Sequence, residues 1–178
     1  IMILADDNEI TSIDVSATTS ITEKQLTNIV AVLPGTDKNI KTAKETVLYS
    51  SHYDHLGLTP DGKEIFNGAD DDASGTSAVI NLAQHYASKG GNKRTLMFSA
   101  FTAEEIGGFG SKYFSQQLNP DDVVAMINIE MIGKPSKFGA GNVWMTGMER
   151  SNLGELLNDS LKATNTEVYK DPYPEQGL

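Results

Sequence analysis

Cysteine is missing altogether from the 178 residues. That excludes disulfides and thiolate metal sites, so any metal would have to be held by histidine, aspartate and glutamate. Histidine is scarce too, with three copies at 52, 55 and 85, and carboxylates would therefore supply most ligands. Positive charge is in deficit: 14 Lys and Arg stand against 24 Asp and Glu, a net charge of −10. A phosphate-binding surface needs clustered Lys and Arg, which argues against a nucleic-acid partner. The acidic excess fits either a well-solvated surface or a cluster of carboxylates that holds cations, depending on where the acids sit. Long hydrophobic runs are also lacking, and none approaches the roughly 20 residues that span a bilayer. At the start, Ile1 is not preceded by a basic segment leading into an apolar one, as expected equally of a processed or trimmed chain. What remains, 39% apolar and 21% charged residues, is the composition of a globular domain with a core of its own.

Apolar periodicity divides the chain into alternating strands and helices. The stretch to about Ser20 is polar and reads as a strand or extended arm. Gln25 to Leu33 is a strand candidate stopped by Pro34-Gly35. Thr46 to Ser50 is a short apolar strand, followed by a polar loop with Pro60-Asp61-Gly62 and Asn67-Gly68. From Ser74, the recurrence of Ala78, Val79, Leu82, Ala83 and Tyr86 predicts a helix that ends at Gly90-Gly91. Thr95–Phe101 and Val123–Ile132 read as buried strands, Gly110–Leu118 as a short helix, Val143–Met145 as one more strand. Ser151–Ala163 reads as an amphipathic helix with Leu153, Leu156, Leu157 and Leu161 inward. Strands alternating with helices imply an α/β fold with a mostly parallel sheet, whose site lies beyond the carboxyl ends of its strands.

Acids and histidine gather at those ends. The first strand runs into Ser51-His52-Tyr53-Asp54-His55, the next into Glu104-Glu105 and the third into Glu130, while Asp70-Asp71-Asp72 precedes the first clear helix. His nitrogen and carboxylate oxygen are zinc ligands, and a ligating His commonly gives its other ring N–H to an acceptor such as Asp54. Of two adjacent glutamates, one can hold metal while the other faces a metal-bound water as general base. Three consecutive acids repel unless a cation sits among them. Each cluster has a plainer reading: a solvated His, glutamates at a helix start, an Asp or Ser that caps a helix. Glu130, between Ile129 and Met131-Ile132, reads as a carboxylate inside a buried run, which is expensive unpaired. His85, on a polar helix face, reads as a surface residue.

In this order, His52-Tyr53-Asp54, Gly68-Ala69-Asp70-Asp71-Asp72-Ala73-Ser74-Gly75, Ala103-Glu104-Glu105-Ile106-Gly107 and Ile129-Glu130-Met131 resemble the M28 family of metallopeptidases. The resemblance implies a three-layer α/β/α sandwich with a mixed, mostly parallel central sheet, of the zinc-exopeptidase or phosphorylase/hydrolase-like kind. It implies an aminopeptidase with two zinc ions, acting on peptide or protein N-termini and located in the periplasm, the cell envelope or outside the cell. His52 and Glu130 would bind one zinc, Asp71 would bridge, Glu105 would bind the second, Asp54 would orient His52 and Glu104 would be the general base. The Asp71–Asp72 peptide would be cis. The family's second zinc takes a further His well beyond the Glu130 position, and none follows His85 here. On this reading residues 1–178 are one catalytic domain, incomplete at its C-terminus, with a complete first site and a second site short of one ligand. A single-zinc acyltransferase like glutaminyl cyclase and a non-catalytic binding domain are the alternative readings; the Asp-Asp-Asp-Ala-Ser-Gly stretch favours the peptidase.

Overall fold

The computed structural model describes residues 12–174. Of the expected N-terminal arm, residues 1–11 lie outside the described residues; from residue 12 to 27 the chain is exposed and forms no regular element. The final residues, 175–178, also lie outside. Four strands make the main sheet: β1 (Ile29–Leu33), β2 (Thr46–His52), β5 (Thr95–Phe101) and β6 (Val123–Asn128), in the order β1-β5-β2-β6. β2 is parallel to both β5 and β6, and β1 is antiparallel to β5 at the edge. The sheet is thus mixed and mostly parallel, flanked by helices.

The long helix α2 (Ala73–Lys89) supplies most of the core. Its Val79, Leu82, Ala83 and Tyr86 pack on Val47, Tyr49, Leu96, Phe98, Leu33 and Ile129, all from one face of the sheet. Tyr49 stacks on Phe98 with ring centroids 5.6 Å apart and on Tyr86 at 6.5 Å. Aromatic pairs at such spacing add to the area they bury. His85 is on the exposed side of the helix, as its position in the sequence pattern predicts.

The opposite sheet face is covered unevenly. The short helix α3 (Phe109–Ser115) lays Phe114 against Phe101, 5.1 Å between centroids. At the other end of β5, Thr95 Oγ donates to Ala43 O at 2.9 Å, tying in the five-residue helix α1 (Ile40–Lys44). Between these ties, Ser50 and Ser99 are fully buried, while Val30, Val32, Val124 and Met126 on the outer strands remain exposed.

Several boundaries differ from expectation for identifiable reasons. The polar segment 36–45 holds α1, nucleated by Asn39, whose side chain accepts from Lys41 N. The loop after β2 pairs β3 (Gly57–Leu58) with β4 (Ile65–Phe66) in a small hairpin, too short for periodicity to register. β6 stops at Asn128, four residues before the apolar run ends, because Met131 adopts a left-handed φ of 52° and turns the chain away. Beyond it, β7 (Val143–Met145) pairs parallel with β8 (Val168–Lys170), and α4 (Leu153–Leu161) lies between them in sequence. Within α4, Leu156 is exposed rather than inward, while Leu153, Leu157 and Leu161 are half-buried.

One glycine is fixed by packing. A Cβ on Gly75 would stand 2.0 Å from Ile129 O and 2.5 Å from an Asp72 carboxylate oxygen, both immovable parts of the scaffold. Gly75→Ala is expected to cost about 3 kcal/mol, the upper range for overpacking, as a lowered midpoint in urea unfolding. A midpoint equal to the parent's would disprove the close approach.

Candidate metal centre

Because β2, β5 and β6 are parallel, their carboxyl ends lie side by side, and the chain leaves each through a polar segment. β2 ends on His52 itself. β5 exits through Thr102 and Ala103 to Glu104-Glu105, and Ala103, buried, has φ 56°. β6 exits through Ile129 to Glu130, followed by Met131 at φ 52°. These two are the non-glycine residues with positive φ among the described residues, and each adjoins a candidate ligand or base. Such backbone costs about 1–3 kcal/mol and persists where surrounding contacts dictate it.

The three consecutive aspartates avoid mutual repulsion by facing three ways. Asp70 turns to the loop after β6: its Oδ1 accepts from Gly133 N at 2.8 Å and its Oδ2 lies 3.0 Å from Lys134 Nζ. Asp72 turns inward and is 2% exposed. Its Oδ1 accepts from Gly75 N at 3.0 Å, as the N-cap of α2, and from Met131 N at 3.4 Å; its Oδ2 accepts from His52 N at 3.2 Å. Burial raises its pKa against the pull of those three N–H donors. One carboxylate thereby joins the end of β2, the start of α2 and the exit of β6. Asp71, between them, faces neither way and points to His52. The Asp71–Asp72 peptide is cis.

His52, Asp71 and Glu130 bring one ligand atom each to within 4.8 Å of one another. His52 is 2% exposed, and its Nε2 stands 3.0 Å from Asp71 Oδ1. The pair lacks hydrogen-bond alignment, and both atoms are buried without a partner. Buried polar atoms are nearly always satisfied, so two orphans aimed at one point fit a cation that both would ligate. The other ring nitrogen, Nδ1, faces the backbone carbonyl of Asp54 at 3.1 Å, with the Asp54 carboxylate at 3.7 Å. Asp54 thus reaches His52 chiefly through its main chain. Its carboxylate is occupied elsewhere, accepting from Glu104 N at 3.1 Å and Glu105 N at 3.4 Å.

Glu130 is exposed, not enclosed in a buried run, because β6 has already ended. Asn128 Nδ2 donates to its Oε2 at 3.3 Å and in turn accepts from Ser50 Oγ at 2.7 Å. Thr76 Oγ donates to His52 O at 2.7 Å. Asn128, Ser50 and Thr76 were not singled out from sequence; the spacing of Asn128 two positions before Glu130 is a signal for Asn128 alone.

A second group shares Asp71. His55, Asp71 and Glu105 also place ligand atoms within 4.8 Å of one another, and His55 Nδ1 lies 2.5 Å from Glu105 Oε1. His55 was given no role in the sequence, where the family's further His is expected well beyond Glu130. Its signal is the spacing His52-Tyr53-Asp54-His55, two histidines on one strand exit.

Electrostatics agree with a cation site. Burial works against charge on His52, yet Asp72, the Asp54 carbonyl, Glu104 and Glu130 outweigh it and raise its pKa. Desolvation raises the pKa of Glu130; His52 opposes this, and Glu104, Asp72 and Asp71 reinforce it. A cluster that retains protons to relieve its own negative charge is one that a cation would neutralise.

The model of peptidase family M28 matches residues 28–178. The chain belongs to peptidase family M28. Leucine aminopeptidase 1 of Neurospora crassa is 31% identical over 156 residues, 83% of this chain and 37% of that protein. A probable zinc metalloprotease of Pyrenophora tritici-repentis is 35% identical over 114 residues, 61% of this chain and 24% of that protein. Among solved structures, an aminopeptidase from Aneurinibacillus sp. strain AM-1 superposes with a TM-score of 0.61 at 28% identity, covering 81% of this chain and 34% of that one. A zinc aminopeptidase from Bacillus subtilis shares the fold, with a TM-score of 0.60 at 21% identity over 84% of this chain and 37% of that one. This M28 chain therefore spans little more than a third of the length of the leucine aminopeptidase it matches. Among the described residues no helix is long and apolar enough to cross a membrane.

Proposed function

We propose that this M28 chain carries the metal-binding core of a zinc-dependent aminopeptidase that hydrolyses N-terminal peptide bonds. The observation that carries this reading is the orphaned, buried pair of His52 Nε2 and Asp71 Oδ1 at the carboxyl ends of three parallel strands. His52, Asp71 and Glu130 would hold one zinc ion, with Asp71 and Glu105 belonging to a second. Bound zinc polarises a carbonyl and lowers the pKa of water. The Glu104 carboxylate would take the proton of the attacking water and return it to the leaving amine. Asp54 holds Glu104 and Glu105 in place through their backbone N–H groups. The surrounding acids favour a substrate with a free α-ammonium group.

The test uses the full-length protein with an aminoacyl-anilide and its N-acetylated form. Cleavage of the free amine, loss on zinc chelation and recovery on adding zinc are expected. Equal cleavage of the acetylated form, or full activity without metal, would overturn the reading. Cyclisation of an N-terminal glutamine in place of hydrolysis would assign the site to acyl transfer.

A further inference from the structure

We propose that Asn28 is a positioning residue for the Glu104 carboxylate: its side-chain amide closes the neck of the loop 102–110 and fixes the direction in which Glu104 leaves β5. The inference rests on reading Glu104 as the general base.

Three observations carry it. The first is where the amide sits. Gly110 N donates to Thr102 O at 3.0 Å. In an antiparallel pair, Thr102 N would complete the exchange by donating to Gly110 O. Here the return link runs through Asn28, whose Oδ1 accepts from Thr102 N at 3.2 Å and whose Nδ2 donates to Gly110 O at 2.8 Å. The second is how tightly the neck is drawn. A Cβ on Gly110 would stand 2.3 Å from Thr102 O and 2.5 Å from Asn28 Oδ1, so the two ends of the loop meet across a gap that only glycine leaves open. The third is what lies just inside the neck. Thr102 is followed by Ala103, at φ 56°, and then by Glu104. An alanine holds that angle only where its surroundings impose it. Ala103 O accepts from Phe109 N at 3.1 Å, and Asp54 accepts from Glu104 N. Asn28 therefore fixes the backbone on one side of the turn and Asp54 fixes it on the other. The residue before Asn28 adds a tie to the exit of β2, since Thr27 O accepts from Tyr53 Oη.

A plainer role for Asn28 is to fasten the start of β1 to α3 and add stability alone. The two roles differ in what they predict. A stabilising contact moves the unfolding midpoint and leaves the turnover of folded protein unchanged. A positioning contact lowers kcat, and does so only while Glu104 is there to be positioned. Misplacing a reacting group by about 1 Å can cost about 10²-fold.

The experiment is a double-mutant cycle in the full-length protein, assayed on an aminoacyl-anilide with zinc saturating. It compares the parent, Asn28→Ala, Glu104→Gln and the double variant. Asn92→Ala is the control for lost stability, because its Nδ2 holds the Pro34 and Arg94 carbonyls at the opposite end of β1 and β5, each at 2.9 Å. Asn28→Ala is expected to lower kcat by about 10–100-fold, with KM and zinc content near the parent's. On the Glu104→Gln background the same change should cost less than about twofold, the margin within which independent effects add. Hydrogen exchange across 102–110 in the metal-free protein should quicken in Asn28→Ala, and Asn92→Ala should lower the urea midpoint at parental kcat. A parental kcat in Asn28→Ala, an equal loss with and without Glu104, or unchanged exchange would each overturn the proposal. So would a fall in kcat with Asn92→Ala that matches its loss of stability. If Asn28→Ala does not fold, Asn28→Asp, which keeps the acceptor for Thr102 N and loses the donor to Gly110 O, is read by the same criteria. A parental kcat in Glu104→Gln removes the general-base reading and this proposal with it; a deep loss there beside a parental kcat in Asn28→Ala removes this proposal alone.

Discussion

Glu104→Gln in the full-length protein is expected to lower kcat by about 10²–10⁴-fold, the range that general acid–base catalysis supplies. That is about 3–5 kcal/mol of transition-state stabilisation. The amide matches the carboxylate in shape but cannot take a proton. Nothing that positions residue 104 depends on its side chain. Its backbone N–H is held by Asp54 and the preceding turn is set by Ala103. Glu104 also stands outside both groups of candidate ligands. Zinc content, fold and KM should therefore stay close to the parent's, with the loss confined to kcat. A variant that keeps kcat within a few-fold of the parent would remove Glu104 from the mechanism. One that loses zinc in proportion to activity would make it a ligand instead.

Asp72→Ala is expected to lower the unfolding free energy by about 2–4 kcal/mol, read as a fall in the urea midpoint. Loss of an N-cap costs about 1 kcal/mol. The buried N–H of His52 would also lose its acceptor, and a buried donor left unpaired costs about 1–3 kcal/mol, whereas Met131 is exposed and its N–H can turn to water. Against this, removing a carboxylate that burial already disfavours returns part of the loss. Since whole domains are stable by about 5–15 kcal/mol, the change is severe. Asp72→Asn retains one oxygen, which can still cap α2, but turns an N–H toward that of His52; a loss roughly half as large is expected. If Asp72→Ala unfolds at the parent's midpoint, its carboxylate does not join the three elements.

The alternation of apolar runs made the parallel strands and α2 readable before any coordinates, because burial on both sides imposes continuous apolar sequence and a helical period. The acids at the strand ends followed from that topology. What was not readable depends on single backbone angles and on hydrogen-bond partners. Nothing in Ile129-Glu130-Met131-Ile132 announces that Met131 turns left-handed, so the apolar run was extended through Glu130 and its exposure was missed. Asp54 was expected to orient His52 by its carboxylate; its carbonyl is the nearer acceptor, since the carboxylate is taken by Glu104 and Glu105. The contact of His55 with Glu105 was not readable because it joins residues 50 apart in sequence. The separate fates of Asp70, Asp71 and Asp72 are likewise invisible in three identical letters.

Asp71 belongs to both groups of candidate ligands. A shared donor makes two occupancies interdependent: whatever one cation gains or loses by the presence of the other, the second must gain or lose in equal measure. With cations at both groups, one drawing on Asp71 would leave less negative charge for its neighbour, so the two loadings would differ in affinity even with similar donor sets. Free zinc would then set a graded population of empty, singly and doubly filled protein, with one aspartate governing where each step falls.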